Sequence, residues 1–144
     1  MKAKSTANML IIRLDENDEV ISSIKDIMKS EGLVSGIVVS FVGALKSCRL
    51  ILQKGLEKTV KTHVEAVGNG NLSYFNGEPF VHIHVSTGNN QGVLVGHLLE
   101  GVVDVFCEIA IIPLEMKLTR KYEASLAESG VTVPYILDFE CDPP

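Results

Sequence analysis

Phe80-Val81-His82-Ile83-His84-Val85-Ser86-Thr87-Gly88-Asn89-Asn90-Gln91-Gly92-Val93-Leu94-Val95-Gly96-His97-Leu98 is the stretch whose reading decides this fold. It carries three of the four histidines, on two apolar, strand-like runs separated by a turn cluster. Side chains alternate faces along a strand, so His82 and His84 share a face. With a loop of Asn90-Gln91, or of the four residues 89–92, paired residue numbers have a constant sum and His97 falls directly across from His84. Cross-strand Cβ atoms are then about 4.5–5.5 Å apart, with His82 on the near diagonal. A slip of one residue would send His97 to the other face.

Three converging imidazoles can hold a divalent metal, since zinc takes histidine nitrogen at about 2.0–2.1 Å and leaves a fourth position open in catalytic-type sites. A His-x-His pair alone more often marks one face of a strand. The third histidine in register makes His82, His84 and His97 the expected metal ligands, with zinc as the expected ion, although imidazole suits copper, iron and nickel as well. In this register Val93, Val95 and Leu99 share the histidine face, while Val81, Ile83, Val85, Leu94 and Leu98 lie on the other. Both faces are apolar and call for cover, more than the expected helices supply, so the chain is expected to form a homo-oligomer with the metal patch near a subunit boundary. Gly96, opposite Val85, either admits a neighbouring element or relieves crowding.

Outward from the hairpin, residues 9–14 read as a first strand ending at Asp15-Glu16-Asn17. A helix capped by Asn17 or Asp18 follows, with Val20, Ile24, Ile27 and Met28 at helical spacing and Gly32 as its stop. Residues 35–45 hold an apolar run over 37–42, and Gly43-Ala44-Leu45 is expected to bend the chain. Strands are expected over 48–53 and 59–67, the latter placing His63 and Glu65 on one face as a polar surface or as ligand candidates. Gly68-Asn69-Gly70-Asn71 reads as a bulge or tight turn, and Asn76-Gly77 as a turn. A strand over 102–114, a solvated basic cluster from Lys117 to Lys121, a weak helix over 122–129 and a last strand or arm over 135–141 complete the chain. No phosphate-loop pattern occurs.

The expectation is one domain over residues 1–144, with its core at about 9–122 and a helix and strand or arm over 122–144. Its class is α/β in the α+β sense: a largely antiparallel mixed sheet with one main amphipathic helix and one or two short ones. The net charge of −5 disfavours a broad nucleic-acid footprint. Cys48, Cys107 and Cys141 lack any zinc-ribbon or Cys-x-x-Cys spacing and read as reduced thiols in or near the core. With no signal-like segment and no membrane span, the protein is expected to be cytoplasmic.

Glu78-Pro79-Phe80-Val81-His82-Ile83-His84, followed by Gly96-His97-Leu98 and Glu100-Gly101, resembles the prokaryotic branch of the plant-and-prokaryote-conserved (PPC) domain. Arg13-Leu14-Asp15, Gly43-Ala44-Leu45, Glu108-Ile109 and Arg120-Lys121-Tyr122 match it too. The resemblance implies a compact trimeric domain, with the histidine positions holding a zinc-like ion in metal-containing members. Plant members couple the domain to AT-hooks and carry a DNA-binding label; this chain has no Arg-Gly-Arg-Pro hook. Two functions follow as expectations. One is a trimeric metal protein whose open coordination position takes water or a small ligand. If it is an enzyme, it is a hydrolase or lyase with Glu65, Glu78 or Glu108 as general base. The other is a DNA-associated regulatory protein in which the metal is structural.

Overall fold

In a computed structural model that describes residues 1–140, the hairpin forms in the register the arithmetic requires. Strand β6 (Glu78–Asn89) pairs with β7 (Gly92–Leu114) through Asn89↔Gly92, Gly88↔Val93, Val85↔Gly96 and His84↔His97. Asn90-Gln91 is the loop, and Asn89 Oδ1 accepts the Gln91 amide at 2.8 Å to close it.

Around the hairpin lie β1 (Lys2–Ser5), β2 (Leu10–Asp15), α1 (Val20–Ser30), β3 (Ser35–Gln53), β4 (Leu56–Val60), β5 (Val64–Phe75), β8 (Leu118–Tyr122), α2 (Ala124–Glu128) and β9 (Tyr135–Phe139). The described residues are mostly β and form a single domain with one nine-stranded mixed sheet, one main helix and one short one. The path β1-β2-β7-β3-β5-β8-β9 is antiparallel except at β5–β8. Because β6 pairs with both β5 and β7, the connections β7–β3–β5–β6 return to their start. The histidine strand is thus held on both edges.

Several boundaries differ from those expected. The strands at 35–45 and 48–53 are one element, β3, and Gly43-Ala44-Leu45 runs straight through it. The irregularity falls on the partner: Gly43 pairs with Cys107 and Ala44 with Asp104, so Val105 and Phe106 bulge out of β7, Val105 at φ 63°. A Cβ at Gly43 would lie 2.6 Å from Cys107 Cα, so glycine here permits close approach rather than a bend. The run at 102–114 likewise continues the second hairpin strand. The run at 59–67 is divided, with His63 in the gap between β4 and β5. Residues 68–71 stay within β5, and the bulge is Val39 on β3, which falls between the pairs Val38↔Gly70 and Phe41↔Gly68.

Helix α1 is capped by Glu19 rather than Asn17 or Asp18. Its carboxylate accepts the Ile21 and Ser22 amides at 3.2 and 2.7 Å, and also the Gly101 amide at 3.0 Å, so one side chain caps the helix and ties it to β7. Asp18 is engaged with the Asp15 amide instead. Val20, Ile24, Ile27 and Met28 are buried against the sheet, as their spacing required. They share one core with Leu10, Ile12, Leu14, Phe41, Leu50, Leu72, Ile83, Leu98 and Ile109, and each such side chain stabilises the fold by about 1.5–3 kcal/mol on burial. Cys48 and Cys107 are free and buried, and burial pushes the Cys107 thiol up to about 12. Cys141, and with it the end of the expected last strand, lies outside the described residues. Among the described residues, no helix is long and apolar enough to cross a membrane.

Candidate metal centre

Alternation along β6 sends Val81, Ile83 and Val85 into the core and turns His82 and His84 outward. His97 meets them from β7. Ring centroids are 5.1 Å apart for His82–His84, 4.9 Å for His82–His97 and 5.5 Å for His84–His97. One nitrogen from each ring lies within 4.8 Å of the others, and no other described histidine, cysteine or carboxylate joins a group of three that could hold a metal. Nitrogens around a tetrahedral zinc stand about 3.3 Å apart, a little closer than this outer limit. The donor set fits a zinc-type ion: three imidazoles, no thiolate, no carboxylate.

Three glycines set this geometry. A Cβ at Gly70 would lie 1.9 Å from the His82 carbonyl oxygen, and one at Gly68 2.3 Å from that of His84. Across the hairpin, a Cβ at Gly96 would meet the Ile51 carbonyl at 2.4 Å, so the element that Gly96 admits is β3. Larger residues at these places would push neighbouring strands away from the histidine strands.

His82 and His97 are half-buried, and each is lowered to about 4. For His82 the causes are burial first, then His97, Arg120 and His84; for His97, burial, then His84 and Arg120. Both rings are therefore neutral at pH 7, the form that offers a lone pair to a metal. His84 is exposed beside Val67 and Val95, along a shallow depression also lined by Asn69 and Ser86.

The basic cluster at 117–121 concealed a second component. All of it but Lys117 falls in β8, and while Lys121 is exposed, Arg120 turns inward and is only 9% exposed. The guanidinium donates to Ser73 Oγ at 3.0 Å, to the Tyr135 carbonyl at 3.2 Å and to Asn71 Oδ1. It lies 5.0 Å from the Phe80 ring centroid, and its Nη2 is 3.3 Å from His82 Nδ1. The available signal was alternation: Leu118 and Arg120 share a strand face, and Leu118 is plainly apolar.

The fourth histidine lies elsewhere. His63 Nδ1 is 2.7 Å from Asp104 and Nε2 is 3.1 Å from Glu65, so both ring nitrogens face carboxylates. Asp104 first and Glu65 second raise its pKa, favouring the imidazolium. Glu65 therefore sits with His63, and Glu78 pairs with Lys29 at 2.8 Å. Glu108 is an exposed residue of β7 opposite Arg13 and Val42. None of the three carboxylates gathers with the three histidines.

The model of the Plants and Prokaryotes Conserved (PCC) domain family matches residues 1–115. Among solved structures, a plant- and prokaryote-conserved protein of Pyrococcus horikoshii is 34% identical, with a TM-score of 0.65 over 83% of this chain and 87% of its own. A protein of Archaeoglobus fulgidus described as metal-containing is 25% identical, with a TM-score of 0.74 over 88% of this chain and 92% of its own. A Bacteroides thetaiotaomicron protein, described as a proposed DNA-binding protein, is 24% identical and shares the fold, with a TM-score of 0.84 over 97% and 98% of the two chains. No curated protein matches the chain. The chain belongs to the Plants and Prokaryotes Conserved domain family.

Proposed function

We propose that this member of the family binds zinc through His82, His84 and His97, leaving a fourth coordination position open to water or a small ligand. The convergence of three imidazole nitrogens within 4.8 Å carries this reading. The lowered values at His82 and His97 support it, because rings that refuse protons keep lone pairs for a metal. So does the metal-containing description of the Archaeoglobus fulgidus relative. A zinc ion held this way would act as a Lewis acid toward what occupies the open position. The proposal covers binding and assigns no reaction; no described carboxylate joins the histidine group.

The same proposal makes the functional unit a homotrimer with its subunit boundary beside the site. Val67 is 55% exposed and Val95 56%, next to exposed His84, and Val39 and Val42 on β3 are also open. An apolar sheet face of this kind is the composition of an interface. A DNA-associated role is left out: the net charge is −5, Arg120 is buried, and Lys117 pairs with Glu140.

Metal analysis and native mass spectrometry of untagged protein test both halves. The expected result is stoichiometric zinc in a trimer, with His84→Ala losing the metal. Metal-free wild-type protein, indistinguishable from His84→Ala, would overturn the metal site, and a monomer at working concentration would overturn the assembly.

A further inference from the structure

The contact between Arg120 and His82 cannot survive metal ligation. A neutral imidazole has one nitrogen lone pair, and a guanidinium can only donate. With Arg120 Nη2 3.3 Å from His82 Nδ1, the lone pair is on Nδ1 and the ring proton on Nε2. A metal that takes His82 through Nδ1 needs the lone pair that Arg120 occupies. One that takes it through Nε2 moves the proton to Nδ1, where it faces another donor. By either route a guanidinium N–H is released.

Among the described residues, nothing else nearby neutralises that group. Its other partners, Ser73, Asn71, the Tyr135 carbonyl and the Phe80 ring, are all uncharged. No described carboxylate forms an ion pair with it. A buried cation ordinarily has a counter-charge. Here a dipositive ion and a guanidinium would share a site whose described protein ligands are all neutral.

We propose that Arg120 is the second anchor of an anionic ligand: a small carboxylate that takes the open coordination position of the metal with one oxygen and accepts the released N–H of Arg120 with the other. The inference rests on the three-histidine reading and adds the class of ligand to it. A carboxylate has the two oxygens that such a bridge requires. A neutral ligand could accept that N–H but would leave the charge of the buried guanidinium unbalanced.

Cobalt(II)-substituted protein provides the test, because its visible absorption reports ligand exchange at the ion without any catalytic assay. Wild-type protein should bind acetate at least about tenfold more tightly than Arg120→Gln, with Arg120→Lys between them, as expected for loss of a charge-assisted hydrogen bond. Imidazole, a neutral ligand for the same position, should bind all three alike. Equal acetate affinity in wild type and Arg120→Gln overturns the proposal.

Arg120 also holds β5, β8 and β9 together, so a measurement on wild-type protein stands beside the variants. The guanidinium 15N resonances of Arg120 should shift on zinc loading and shift again with acetate. Unchanged resonances through both additions overturn the proposal. Wild-type protein that takes up cobalt but shows no Arg120 dependence refutes only the anion anchor. Failure to take up cobalt refutes the metal site itself.

Discussion

Two histidine regions of the molecule have opposite chemistry. His82, His84 and His97 stand among one another, and the two half-buried rings are held neutral. His63 stands between Asp104 and Glu65, exposed, with both nitrogens engaged and the charged form favoured. A histidine becomes a metal ligand or a cationic clasp according to its neighbours: burial and cationic or imidazole neighbours keep the rings of His82 and His97 neutral, while two carboxylates favour the charged ring of His63.

The contrast is sharpest under substitution. Loss of a whole ligand should exceed the ten- to hundredfold effect of losing a group that merely supports one, so His97→Ala should weaken zinc binding by more than about a hundredfold. His63→Ala should leave zinc affinity unchanged. Isothermal titration against a competing chelator reads both, and equal losses would erase the distinction between the regions.

Backbone substitution should come next. Gly70→Ala places a methyl group where the His82 carbonyl now lies, so it should cost about 1–3 kcal/mol by the measure of overpacked sites and weaken zinc binding as β6 shifts. Denaturant unfolding of metal-free and loaded protein separates the two effects. An unchanged midpoint would contradict the close approach of β5 to β6.

Proton dependence should run in opposite directions. His82 and His97 fall from 6.5 in the unfolded chain to about 4 in the fold. As pH drops from about 6.5 toward 4 the unfolded state takes up protons that the folded state refuses, and metal-free protein loses stability across that window. His63 is raised above 6.5, so its contribution is full below that pH and fades as pH rises through the higher folded value. NMR titration of the four rings checks the order, and a His63 that titrates below His82 and His97 would reverse the assignment. The smallest effect belongs to Glu78→Gln, which removes an exposed pair with Lys29 and should leave zinc content unchanged.

How far the sequence anticipated these regions depends on how local each is. The three-histidine group followed from strand period and one loop length, both carried by residues 80–98. The packing of α1 followed from its spacing of apolar residues. The division of the sheet did not follow, because the Val39 and Val105 bulges depend on pairing between segments far apart in the chain. Arg120 was hidden for the same reason: a basic residue between Thr119 and Lys121 reads as surface until β8 docks beside β5 and buries it. Glu19 displaced Asn17 and Asp18 as the helix cap because it also satisfies the distant Gly101 amide. Local periodicity was legible; contacts across more than one strand pairing were not.

The central claim meets its most direct test in anomalous diffraction at the zinc edge from crystals of wild-type protein grown with zinc. The account predicts a single dominant peak per chain among His82, His84 and His97, at about 2.0–2.1 Å from one nitrogen of each. No peak there, or a dominant peak at His63 and Asp104, would contradict it.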